Sequence, residues 1–173
     1  MAQEKTSILL SDVSVEGNVV EKDKIILDAK IIVDIKAEEI ITHSKSNVIG
    51  NIKSKIASLG GKLKGNVNSD QITVKKTANI EGDLIEKDKI IIDAKINGNV
   101  KTEEIETHQK SNIQGNINAN IAAIGGQMKG NIISNQIKIK KTANIEGVLN
   151  QKTLEIEEGK YHLFDKETKK RLN

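Results

Sequence analysis

The sequence predicts an all-β fold: a single-domain parallel β-helix, or solenoid, of about eight to nine coils with about 16 residues each. Three observations predict it. Residues 16–82 recur as residues 81–147 without a gap. Glycines return at a near-constant spacing inside each copy. Apolar and polar residues alternate with a period of two.

The duplication comes first. The offset is 65 residues, and about 42 of the 67 aligned pairs are identical. EGNVVEKDKIILDAK answers EGDLIEKDKIIIDAK, and KKTANIEG occurs in both copies unchanged. Separate globular domains are usually divided by a linker. Here the copies share Glu81 and Gly82, so one pattern runs through the join.

Each copy holds four shorter units. Gly17, Gly50, Gly65, Gly82, Gly98, Gly115, Gly130 and Gly147 mark them, with Val33 in the second place. The steps are 16, 17, 15 and 17 residues, then the same four again. A unit reads small-x-aliphatic-x-Gly-Asn-aliphatic, as at Ala78, Ile80, Gly82 and Leu84. Alternation with a period of two means a strand with one buried face. Charged corners such as Glu86-Lys87-Asp88-Lys89 separate the strands. Stacking the units about 4.8 Å apart makes Ile31, Val48, Leu63, Ile80, Ile96, Ile113, Met128 and Ile145 one inner ladder. A sandwich of antiparallel hairpins is the competing architecture, but hairpins need no fixed unit repeated in register.

Composition fits a narrow aliphatic core. Hydrophobic residues are 36% and aromatics 1%, so Ile, Val, Leu and Ala must fill the interior. With one Tyr, one Phe and no Trp, stacking platforms for single-stranded nucleic acid are excluded. The absence of Cys excludes disulfide frameworks, thiolate metal sites and Cys nucleophiles. A net charge of +3 is too small to argue for nucleic acid. The apolar run Ile8-Leu9-Leu10 is too short for a signal peptide or a spanning helix. The expected location is the cytoplasm, with peripheral contact at the inner face of the membrane left open. The expected organisation is an N-terminal tail over 1–12, the β-helix over 13–157, and a C-terminal cap or tail over 158–173.

The recurrent Ile-x-Gly-Asn-[Ile/Val] units, the TANIEG approach and the coil size resemble the bactofilins, polymer-forming bacterial cytoskeletal proteins. The resemblance covers about residues 13–149. It implies a right-handed parallel β-helix with short tails. It also implies end-to-end filaments without bound nucleotide, often at the membrane, serving as a scaffold for cell shape or polar organisation. Two departures stand out: family cores commonly have fewer coils, and the Pro residues common in family tails are missing here. The first departure fits an internal duplication.

Residues able to carry chemistry are sparse. His43 and His108 are equivalent and four coils apart, on the order of 19 Å at about 4.8 Å per coil, too far to share a metal; His162 is the third histidine. A trimeric left-handed solenoid enzyme, of acyltransferase or carbonic anhydrase type, is the rival reading. It needs a His in a cleft and, for acyl transfer, strict six-residue turns; steps of 15 to 17 depart from 18. Glu38-Glu39 and Glu103-Glu104 read as duplicated solvated corners, and no phosphate-binding loop occurs. Asn18, Asn51, Asn66, Asp83, Asn99, Asn116 and Asn131 follow the column glycines and read as a hydrogen-bonded structural ladder. No catalytic residue, metal ligand or cofactor is expected, and the chain is expected not to be an enzyme.

The ends carry the functional expectation. An open solenoid leaves bare strand edges and core at each terminus, which monomeric repeat proteins cap. Ile8, Leu9, Leu10 and Val13 at one end, and Leu154, Ile156, Tyr161, Leu163 and Phe164 at the other, are candidate polymer contacts. The resemblance favours mating over capping, with the chain itself as partner. A membrane surface or cell-wall enzymes are further partners to consider. A non-polymerising scaffold that recruits through a flat sheet face is the third reading.

Overall fold

A computed structural model describes residues 5–10, 14–157, 162–165 and 171–172. The described residues form short strands and corners, without a helix. The chain winds as a parallel β-solenoid with three faces.

The first face runs from strand Thr6–Leu9 through Lys24–Leu27 and Glu39–Thr42 to Thr153–Ile156, ten strands paired in parallel. The second face starts at Ser14–Glu16 and ends in residues 144–146 of strand Asn144–Asn150. The third starts at Val19–Val20 and ends in residues 149–150. Two strands, Ile52–Leu59 and Val67–Val74, run straight through the corner between the third and first faces.

Register explains why the alternation reads so clearly. On the second face, Ile31, Val48, Leu63, Ile80, Ile96, Ile113, Met128 and Ile145 pair position for position, and all are buried. Ile35, Ile52, Val67, Leu84, Val100, Ile117, Ile132 and Leu149 do the same on the third face. The first face contributes two inner columns, for example Ile90 and Ile92 on one strand. Each fully buried aliphatic side chain stabilises by roughly 1.5–3 kcal/mol.

The glycine column marks where successive coils come closest. A Cβ at Gly65 would sit 2.1 Å from the carbonyl oxygen of Gly50, and Gly65 has φ +147°, a region L side chains rarely adopt. The first coil departs from this. Gly17 has φ +101°, an added Cβ there meets nothing within 4 Å, and Val33 holds the next place.

The stack extends beyond the span 13–157. Thr6–Leu9, inside the segment expected as a tail, pairs in parallel with Lys24–Leu27. The reason is its own alternation: Ser7 and Leu9 point inward, and Leu9 packs on the core. At the other end His162–Asp165 pairs in parallel with residues 146–149, and Arg171–Leu172 then pairs with it antiparallel.

Candidate assembly surfaces

Three features outside the aliphatic columns shape the surface and the ends. The first is the Asn ladder between the second and third faces. Asp34 Oδ1 accepts the backbone N–H of Asn51 at 2.7 Å, and Asn51 Oδ1 accepts that of Asn66 at 3.0 Å. The chain continues through Asp83, Asn99, Asn116 and Asn131 and ends on the N–H of Val148, 3.1 Å from Asn131 Oδ1. The side chains thus stack on backbone donors of the next coil more than on one another. An acceptor oxygen already engaged in this way makes a poor cation ligand.

The second feature is a corner held by a buried carboxylate. Glu86 is 4% exposed. It accepts the backbone N–H of Lys89 at 3.0 Å and the hydroxyl of Thr102 from the next coil. Its equivalent Glu21 accepts the N–H of Lys22 at 2.8 Å and the hydroxyl of Ser7 from the previous coil. Those hydrogen bonds, Ser7 first, hold the Glu21 carboxyl below its usual range. The charged corner read from the sequence is therefore partly an internal clamp. The signal was present: Leu84 and Glu86 share the inward parity of the strand.

The third is the distribution of ion pairs. On the first face Lys24 meets Glu39 at 3.0 Å and Lys89 meets Glu104 at 2.6 Å. Glu106 lies between Lys140 at 2.7 Å, Lys89 at 3.7 Å and His108 at 3.7 Å. The hydrogen bond from Lys140, aided by these charges, lowers its pKa. On the second face Lys64 meets Glu81 and Lys129 meets Glu146. Two outward columns differ: on the second face Lys30, Asn47, Lys62, Asn79, Lys95, Asn112, Gln127 and Asn144 include no acid, and the third face has another such column. Val20, Lys36, Lys53, Asn68, Ile85, Lys101, Asn118, Ile133 and Asn150 contain no acid. Among the described residues no carboxylate lies within salt-bridge distance of Lys36, Lys53 or Lys101.

His43 and His108 are exposed at equivalent corners, where their backbone carbonyls accept the hydroxyls of Ser46 and Ser111 at 2.7 Å. Lys55 pairs with Glu38, and Asn120 donates to Glu103 at 2.7 Å. No group of three or more His, Cys, Asp or Glu among the described residues is placed to hold a metal ion.

The terminal candidates fall into separate groups. Ile8 and Leu10 are exposed, at 57% and 62%, whereas Leu9 is half-buried against the core. Leu154 also packs on the core, and Ile156, next in the inner column after Ile139, is 42% exposed. Leu163 and Phe164 lie opposite Gly147 and Val148 in backbone pairing. Val13 and Tyr161 lie outside the described residues.

A family model described as bactofilin, polymer-forming cytoskeletal, matches residues 7–90 and again 80–162. The chain belongs to the bactofilin family. Two matches in tandem agree with the duplicated sequence, and the all-β solenoid is the fold that the bactofilin resemblance implied. No curated protein and no solved structure matches the chain significantly. No helix among the described residues of this bactofilin is long and apolar enough to cross a membrane.

Proposed function

We propose that this bactofilin joins end to end into filaments without nucleotide, and that the filament is a non-enzymatic cytoplasmic scaffold for cell shape or polar organisation. One observation carries the reading: among the described residues the strand edges at the N-terminal end are open. Among the described residues, Thr6–Leu9, Ser14–Glu16 and Val19–Val20 each pair on one side only, and the partly buried Leu9, Val15 and Val19 end the core columns there. An unpaired strand edge beside an incompletely covered core is a template for another chain. At the opposite end, among the described residues, Thr153–Ile156, with Leu154 and Ile156, pairs on one side only. Val13, Tyr161, Leu163 and Phe164 remain candidates for the same contacts.

Electron microscopy of the purified protein, with and without added nucleotide, tests this. Filaments are expected in both conditions, and Leu9→Glu shortens them while leaving the β-sheet circular dichroism intact. A particle that stays monomeric at high concentration across a range of salt overturns the proposal.

The unpaired Lys36, Lys53 and Lys101 favour a peripheral membrane location as part of the same reading. Each lysine near an anionic lipid surface contributes about 1 kcal/mol, and a filament multiplies the number engaged. A cell-wall enzyme recruited along the filament completes the proposed scaffold role.

A further inference from the structure

We propose that the corner between the third and first faces of the first copy binds the phosphate group of a phosphomonoester, with Lys22, Lys36 and Lys53 as the cations that hold it. The site does not depend on whether or how the ends join.

A groove of about 590 Å³ crosses this corner, lined by Lys22, Lys36, Lys53 and Lys55 and by the acids Glu21, Glu38 and Asp70. Each acid is already engaged. Glu21 accepts the Ser7 hydroxyl and the backbone N–H of Lys22, Glu38 pairs with Lys55, and Asp70 pairs with Lys87. Lys22, Lys36 and Lys53 are exposed, and among the described residues no carboxylate lies within salt-bridge distance of them. One concavity therefore holds three uncompensated cations. Two of them, Lys36 and Lys53, stand directly opposite each other in adjacent coils. Like charges so placed on a sheet repel, and a bound anion removes that cost.

The duplication supplies an internal contrast. In the second copy Asn118 stands for Lys53 and Asn120 for Lys55, while Lys87, the counterpart of Lys22, is held by Asp70. Of the three cations only Lys101, the counterpart of Lys36, is left unpaired there. The same winding is built without stacked lysines, so the fold does not require the cluster.

Charge and valence identify the ligand. Near neutral pH a phosphomonoester carries about −1.5 to −2 charges and three acceptor oxygens, which three ammonium groups match. A carboxylate brings one charge and two oxygens and leaves the cations largely uncompensated. Lysines bind phosphate as point charges, without the planar fork that arginine offers a carboxylate. Val20 and Ala37 complete the lining and give the organic part of the ester an apolar surface. A soluble phosphate ester and the headgroup of phosphatidic acid present the same chemistry.

Two measurements on the full chain test the site and separate its sources. Equilibrium dialysis against radiolabelled glycerol 3-phosphate reads the soluble ester. Flotation with phosphatidylcholine vesicles, plain or carrying phosphatidic acid or phosphatidylglycerol, reads the lipid. The substituted lysines are exposed, so β-sheet circular dichroism is expected to be unchanged in each variant. Saturable binding of glycerol 3-phosphate that weakens with added salt is expected. Lys36→Gln combined with Lys53→Gln weakens it by about tenfold or more, whereas Lys101→Gln in the second copy leaves it unchanged. Binding confined to phosphatidic acid vesicles, with the same dependence on Lys36 and Lys53, also supports the phosphate site and assigns it to the lipid. Absence of saturable binding to either monoester, equal binding to both anionic lipids with no soluble ester bound, or an equal loss from Lys101→Gln overturns the proposal.

Discussion

The two copies, residues 16–82 and 81–147, differ almost entirely according to which way a side chain points. Inward substitutions on the strands are mostly swaps of one aliphatic for another: Leu27 for Ile92, Ile35 for Val100, Val48 for Ile113, Leu63 for Met128, Val67 for Ile132. Outward ones change character. Ile32, Ile41 and Ile49 of the first copy become Asn97, Glu106 and Gln114 in the second. A narrow interior tolerates shape changes of one or two methyl groups and little else. Water tolerates nearly anything, so the outward columns were free to diverge. The contrast teaches that the fold is duplicated but the surface is not, and the exchange runs both ways, since Asn68 of the first copy is the exposed Ile133 of the second.

The largest expected effect probes the shared interior. Ile96→Lys, and equally Ile31→Lys in the first copy, should prevent folding, because an unpaired ammonium has no partner among the inner columns. Loss of β-sheet circular dichroism at ordinary temperature checks it. A folded Ile96→Lys protein would mean that the columns do not support the fold equally.

A smaller effect separates the two clamped corners. Thr102→Val leaves one oxygen of the buried Glu86 without its hydroxyl donor, at a cost of about 1–3 kcal/mol. Ala37 occupies the equivalent place in the first copy, where Ser7 supplies the hydroxyl to Glu21 from the other side. Ala37→Val should therefore leave the Glu21 clamp intact. Urea unfolding of both variants measures the difference, and equal losses would remove the proposed role of Thr102.

The smallest effect lies on the surface, at the pair Ile41 and Glu106. The pKa of Glu106 is lowered in the folded chain, chiefly by the hydrogen bond from Lys140. Its contribution to stability is therefore present above the carboxyl value of the unfolded chain. It is lost as pH falls through the lower folded value. Glu106→Ile, which restores the residue of the first copy, should remove that part of the acid sensitivity. The stability change near neutral pH should be no more than about 1 kcal/mol, as for partly exposed pairs. Urea midpoints recorded from neutral pH down to the acid limb check both statements.

Much of the interior was legible because the strand period of two and the coil steps are written in residue identity. Glycine at each close approach, and aliphatics at fixed distances from it, give the register directly, as Ile80 opposite Ile96 illustrates. The candidate ends were legible as apolar segments, but not their separate roles. Leu9 points inward while Ile8 points outward, and that depends on which residue pairs with Ile25. The clamp on Glu86 was hidden because a Glu-Lys-Asp-Lys run reads as solvent-facing until its parity is counted through the corner. The Asn ladder was expected, but its donors are backbone N–H groups of the next coil, which side-chain spacing does not reveal.

The sequence by itself determined the winding: its repeat, its coil length and the identity of the inner columns. The reason is that a close-packed, dry interior admits few residue types at each position. Only the tertiary structure decided which outward residues stand beside one another. Steps of 15 and 17 residues bring Lys24 to Glu39 and Ile41 to Ser58 across coils, and it is these long-range neighbours that decide which surface charges are paired and which apolar side chains stand together.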